Sequence, residues 1–302
     1  MTRVLTSFFL FLGAALLLFF AFYGDKMRAE KRPSILVSIP PYTFLVKEIA
    51  GDDFAVKSIT SGNSNPHTFD PKPQEAASYM KSVIWFSTGE AFEGKIGKAL
   101  PKTTHVINLN EGLPLLAAQC HHEHEHDEDG ACILQEAHLD AMDLHTWLSP
   151  KLFREQAKRI AETLVDHYPE QRELFFTRLN EVNKRIEKLE EESSKKLAPF
   201  AGRTLLFSHP AFAYYCQDFH LHQLSVEVDG KEPTIQQIQT LLDEAKKRGV
   251  SQMILMPQYS NKGANKVANE LNLKSITINP YAEDYIKNFT SITDKIVQGE
   301  TR

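Results

Sequence analysis

The sequence predicts an α/β protein with parallel sheets, laid out as lobe, long helix, lobe. Three observations carry this. Short apolar runs alternate with helical segments over residues 34–109. The same alternation returns from Thr204 to the end of the chain. Between them, residues 170–197 contain no Gly or Pro and are rich in Glu, Lys, Arg and Leu. Buried runs of this length, spaced by helices, indicate βαβ units and a parallel sheet.

In chain order, residues 34–39 (SILVSI) read as a buried strand, 42–50 as a helix and 54–59 as a second strand. Residues 73–81 are helical, 83–87 (VIWFS) a strand, 92–100 a helix and 105–109 a short strand. Residues 150–168 form an amphipathic helix. Pro169 then opens the long segment, in which Leu174, Leu179, Val182, Ile186 and Leu189 fall near helical spacing. One helix over 170–197 would span ~40 Å at 1.5 Å per residue, enough to run the length of a two-lobed protein. The second lobe reads as strand 204–207, helix 210–219, strand 223–228, helix 234–247, strand 253–256, helix 261–272, strand 275–278 and helix 281–297. The expected divisions are an N-terminal segment at 1–32, a first lobe at 33–168, the linking helix at 169–198 and a second lobe at 199–302.

The 302 residues are 42% hydrophobic and 24% charged, which suits a globular chain with real cores. A net charge of -5 argues against a nucleic-acid partner, which needs a basic face. At the N-terminus, Arg3 precedes an apolar run over 4–23, followed by Asp25, Lys26, Arg28, Lys31 and Arg32. This is the pattern of an export signal, and the run is also about as long as a membrane anchor, which needs roughly 20 apolar residues. In either case the body of the protein is expected outside the cytoplasm. No cysteine follows the run as a lipid attachment point.

The chemistry is carried by histidine. His67 lies shortly after a predicted strand, His145 just before a helix and His209 directly after a strand. Ligands of open α/β sheets bind at the carboxyl ends of strands, so the three are expected to converge in the cleft between lobes. Imidazole suits zinc and other borderline transition metals. Pro66 and Pro210 adjoin two of them and stiffen their loops. A second signal is residues 120–129, CHHEHEHDED, where His121, His122, His124 and His126 interleave with five acidic residues. Such a tract is expected to be a solvated loop that exchanges metal loosely. Cys120 and Cys132 flank it and could pair in an oxidising compartment. Cys216 is expected to be a buried apolar residue.

Four motifs then point to one family. NPHTFDPKPQE occupies 65–75, DLHTWLSP ends at Pro150, SHPAFAYY starts at Ser208, and EPTIQQIQTLLDEAKKRGV starts at Glu232. Together they resemble the metal-binding receptors of ABC importers for zinc and manganese, the cluster A-I solute-binding proteins, over residues 34–300. The resemblance implies two (β/α)4-like lobes joined by one long backbone helix. It also implies a metal between them on His67, His145 and His209, and a His-rich loop like that of the zinc-type members. The implied partner is an ABC importer permease, and the expected state is a monomer. Two positions depart from the family pattern. Asn279-Pro280 stands where an Asp-Pro pair often supplies the fourth ligand, so Asn279 offers only a neutral carbonyl, and water, Asp284 or Asp229 are the other candidates. Met256-Pro257-Gln258-Tyr259 stands where the family carries a carboxylate.

The expected function is therefore an extracytoplasmic zinc receptor for an importer. A manganese or iron receptor of the same fold is the alternative within the class. Outside it stand a zinc hydrolase, disfavoured because no clear base stands beside His67, His145 and His209, and a surface adhesin, which nothing in the sequence favours.

Overall fold

The computed structural model describes residues 32–118, 142–227 and 233–301. The first lobe holds strands β1 (Ser34–Val37), β2 (Ala55–Ser58), β3 (Ser82–Ser87) and β4 (His105–Asn108), in the order β2-β1-β3-β4. The second holds β5 (Thr204–Phe207), β6 (His222–Ser225), β7 (Gln252–Leu255) and β8 (Lys274–Thr277), in the matching order β6-β5-β7-β8. Every pairing within both sheets is parallel. The central strands have helices on both faces and so need apolar residues at every position. Ile35, Leu36 and Val37 of β1 and all of β5 are accordingly buried.

Helices α1 (Pro40–Ala50), α2 (Pro73–Tyr79) and α3 (Glu93–Ala99) serve the first sheet. Helices α4 (Pro150–His167) and α5 (Arg172–Leu197) form the spine, and α6 (Ala213–Asp218), α7 (Ile235–Lys247), α8 (Lys262–Glu270) and α9 (Tyr285–Glu300) serve the second. Helix α4 starts where Ser149 accepts a hydrogen bond from the Leu152 amide and Pro150 occupies the first turn. Helix α5 buries Phe175, Leu179, Val182, Ile186, Leu189, Ser193 and Leu197, a spacing of three and four that makes one stripe. The stripe begins at Phe175 and not at Leu174, which is 41% exposed.

The largest apolar cluster does not stop at either lobe. It runs from Ile35 and Phe86 in the first sheet, through α1, α4 and α5, to Leu205, Phe207 and Ile254 in the second. Phe153 of α4 stacks on Tyr285 of α9 at 3.9 Å between centroids. Trp147 donates to the Pro280 carbonyl at 3.0 Å, and the Tyr285 hydroxyl donates to the Trp147 carbonyl at 2.9 Å.

Two helices start later than their sequences suggest. The segment expected at 210–219 becomes helical only at Ala213, and the Gln223 side chain accepts the Phe212 amide at 2.6 Å just before it. The segment expected at 281–297 starts at Tyr285, because the Asp284 carboxylate caps it by accepting from the Lys287 amide. No described helix is long and apolar enough to cross a membrane. The apolar run at 4–23 lies outside the described residues.

The stripe assignment is checked by truncation on both sides of it. Phe175→Ala is expected to lower unfolding free energy by about 3–5 kcal/mol, and Leu174→Ala to stay within about 0.5 kcal/mol of the parent. Urea midpoints with unchanged slope would measure both.

Candidate metal centre

The three histidines arrive from different elements and meet at the strand carboxyl ends. His67 follows β2 in a short 3-10 turn, Pro66–Thr68, that Asn65 caps by accepting the His67 amide at 2.9 Å. His145 precedes the turn leading into α4, where the Asp143 carboxylate accepts its amide at 2.9 Å. His209 directly follows β5. There Ser208 donates its amide to Ile254 at 2.8 Å and its hydroxyl accepts from the Met256 amide at 3.1 Å. Among the described residues these are the one cluster of three or more His, Cys, Asp or Glu with ligand atoms all within 4.8 Å of one another.

Each imidazole has a carboxylate on its Nδ1 side. His145 Nδ1 is 2.7 Å from Asp143, His209 Nδ1 is 2.6 Å from Glu227, and His67 Nδ1 is 3.3 Å from Glu90. A proton held at Nδ1 leaves the Nε2 lone pair free, which fixes both tautomer and ring direction. The freed nitrogens face one another. His67 Nε2 and His209 Nε2 are 3.3 Å apart, and His145 Nε2 is buried with no hydrogen-bond partner. Two nitrogens about 2.0–2.1 Å from a tetrahedral zinc would lie ~3.3–3.4 Å apart, so the observed edge already has the size such an ion requires.

Aromatic residues wall the cluster. Tyr259 stacks on His209 at 3.7 Å and 10° and shares a 2.6 Å hydrogen bond with Tyr281. Trp147 lies 5.2 Å from the His145 ring. Burial is graded: His145 and His209 are 5% and 3% exposed, whereas the His67 side chain is 36% exposed. The His67 edge is therefore the wet side of the site. Burial pushes the His67 pKa down, but the hydrogen bond and charge of Glu90, aided by Glu227 and Asp143, outweigh it, and the imidazole ends above its ordinary value. Burial holds His209 well below that value, with His145 and His67 adding to the effect. Burial raises the Glu90 carboxyl, yet His67 and then His145 carry it below the usual range.

Asn279, the expected fourth ligand, is used otherwise. Its Oδ1 accepts from Gln258 Nε2 at 2.7 Å and from the Tyr281 amide at 2.8 Å, and its Nδ2 donates to the Gly62 carbonyl at 3.1 Å. Asp284 is engaged as the cap of α9. Asp229, the tract with His121, His122, His124 and His126, and the cysteines Cys120 and Cys132 lie outside the described residues. Cys216 is buried in α6, and burial alone pushes its thiol pKa up. The carboxylates Glu90, Asp143 and Glu227 were not singled out by the sequence reading. Asp143 had a signal, two residues before His145 in DLHTWLSP. Glu90 and Glu227 follow β3 and β6 and meet their histidines only through the fold.

A family model described as zinc-uptake complex component A, periplasmic (ZnuA) matches residues 35–299. A protein of Chlamydia trachomatis serovar D, named only as metal-binding, is 30% identical over 271 residues, covering 89% of this chain and 92% of its own. A crystal structure of ZnuA superposes with a TM-score of 0.79 at 29% identity, covering 89% of this chain and 99% of that one. A ZnuA deletion mutant with zinc bound gives a TM-score of 0.78 at 28% identity, covering 89% and 98%.

The electrostatics predict separated titrations in the metal-free protein. His67 is expected to titrate above ~6.5, the unperturbed histidine value, and His209 well below it. Glu90→Gln removes the strongest of the groups that raise His67, so its pKa should then fall. Imidazole nitrogen shifts followed by NMR across pH 4–9 would read each site.

Proposed function

This chain belongs to the ZnuA family of zinc-uptake solute-binding proteins, whose members bind metal and are not enzymes, and we propose that it is a zinc receptor in which His67, His145 and His209 hold the ion for delivery to an ABC importer. The observation that carries this reading is the cluster of three imidazoles whose ligand nitrogens lie within 4.8 Å of one another, each with a carboxylate beside its Nδ1. Zinc is favoured over manganese because the converging donors are all imidazole, whereas manganese prefers oxygen ligands. Asn279 has no free carbonyl lone pair to contribute. The fourth position then falls to a solvent molecule on the exposed side of His67.

The chain's residues supply three things. Glu90, Asp143 and Glu227 surround the imidazoles with negative charge, which favours entry of a dication. Their hydrogen bonds keep the rings in register, which lowers the ordering cost of binding. The first lobe (33–168) contributes two ligands and the second (199–302) one, across the helix at 169–198, so ligation ties lobe to lobe. An importer that distinguishes loaded from empty receptor must sense a difference between those states. The family is described as periplasmic, and an extracytoplasmic body, exported or held by the N-terminal apolar run and acting as a monomer, follows from the same reading. The tract at 120–129 is assigned a looser, auxiliary metal role, closed by a Cys120–Cys132 pair if it oxidises.

Competitive titration with zinc, manganese and iron(II) tests the reading. One tight zinc equivalent with far weaker manganese is expected, and tight manganese with poor zinc retention would overturn the metal. Asp143→Asn should weaken zinc about 10- to 100-fold, as for loss of a partner behind a ligand, and His67→Ala or His209→Ala should cost more. Deleting 120–129 should remove weak equivalents only; loss of the tight site would move the centre to that tract.

Zinc affinity should also fall on acidification. The ion needs neutral imidazole, and the raised His67 pKa makes proton competition begin at a higher pH than for free histidine. Below that pKa the loss should approach tenfold per pH unit for each proton displaced. The same titration at pH 8, 7 and 6 measures it, and a flat profile would exclude His67 from the ligand set.

A further inference from the structure

The Gly62 carbonyl, in the loop that carries His67, is gripped by two amides of the opposite lobe. Gln258 Nε2 donates to it at 2.6 Å and Asn279 Nδ2 at 3.1 Å. The grip is closed, since Gln258 Nε2 also donates to Asn279 Oδ1 at 2.7 Å. Asn279 is itself fixed to its own lobe, through the Tyr281 amide at 2.8 Å and through its backbone carbonyl, which accepts from Asn288 at 2.7 Å.

We propose that Gln258 and Asn279 are positioning residues: together they clamp the His67 loop against the second lobe and set how slowly bound metal leaves. The proposal rests on His67, His145 and His209 being the ligand set. It assigns to Asn279 a role that a carboxylate at 279 could not fill. Position 279 must accept from Gln258 and Tyr281 and also donate to a carbonyl, and an ionised carboxylate, which only accepts, cannot do both.

The geometry carries the effect from the clamp to the imidazole. Gly62 lies five residues before His67. The intervening turn is tied by the Ser64 amide to the Ser61 carbonyl at 3.0 Å and by their hydroxyls at 2.8 Å, and Asn65 then caps the His67 amide. A shift at Gly62 therefore moves His67 as part of a closed unit. The approach of the lobes here is close: a Cβ at Gly62 would sit 3.1 Å from the Tyr281 carbonyl oxygen. His67 also has the weakest hold of the three histidines. Its carboxylate contact is the longest, at 3.3 Å, and it is the one exposed to solvent. Its place beside His209 depends on the loop being held from outside.

The test is zinc release from the full chain into excess chelator, followed by stopped flow, for Gln258→Met, Asn279→Ala and the double variant. Each single change should speed release about 3- to 10-fold, the worth of a hydrogen bond or two. The double variant should be little faster than the singles, because all three break one clamp. Gly62→Ala, which crowds the same contact while leaving both amide residues in the sequence, should also speed release. Were Asn279 a metal ligand, Asn279→Ala would speed release while Gln258→Met stayed at the parent rate; that result overturns the clamp, as do unchanged rates or plain additivity. Hydrogen exchange at residues 62–68 in the metal-free chain reads the clamp without zinc. Faster exchange there at an unchanged unfolding midpoint is expected, and unchanged exchange would overturn it. Lack of any tight zinc site in the parent chain would sink the zinc reading alone.

Discussion

The meeting of the three histidines depends on an apolar core that the two lobes share. Phe175, Leu179, Val182, Ile186 and Leu189 of α5 belong to the same buried cluster as Ile35 and Phe86 on one side and Leu205 and Ile254 on the other. Separating the lobes would expose part of that cluster at ~25 cal/mol per Å2 of apolar surface. Wide hinge opening is thereby discouraged, and the strand ends of the two sheets face each other at a nearly fixed distance. Histidines drawn from both lobes are thereby held close together.

Within that frame the carboxylates decide orientation. An imidazole can rotate and can carry its proton on either nitrogen. Asp143, Glu227 and Glu90 remove both freedoms by occupying the Nδ1 side. The arrangement costs burial of charge, and His67 and His145 offset it enough to hold the Glu90 carboxyl low. Tyr259 and Trp147 lie against His209 and His145, which are buried, and His67 is left as the exposed member of the cluster.

The lobes are alike in topology and unlike in what they supply. Both sheets follow the same parallel order, yet the second lobe contributes His209 together with most of the polar grips on the first. Tyr214 accepts from the Leu116 amide at 2.9 Å and donates to the Asp143 carbonyl at 2.7 Å, which steadies the residue behind His145. Gln258 and Asn279 do the equivalent for the loop before His67. Asn279 is thus part of the support, through its bonds to Gln258, Gly62 and Tyr281.

The sequence by itself determined the fold class, the lobe–helix–lobe order and the three histidines, because each is written in local pattern. Central parallel strands are apolar throughout, the Gly- and Pro-free run carries apolar residues at helical spacing, and His145 and His209 adjoin a helix start and a strand end while His67 lies in the loop after β2. Details that depend on partners distant in sequence were not legible. The bond from the Phe212 amide to Gln223 before α6 is one such detail, and the choice of Phe175 over Leu174 is set by the direction of the core, which spacing alone leaves one residue uncertain. Asp143 could have been read from its place beside His145. The pairings of Glu90 with His67, Glu227 with His209 and Asn279 with Gly62 join residues 18 to 217 positions apart in the chain. Only the tertiary structure decided them, since hydrogen bonds between such residues depend on how separate elements pack and leave no periodic trace in the sequence.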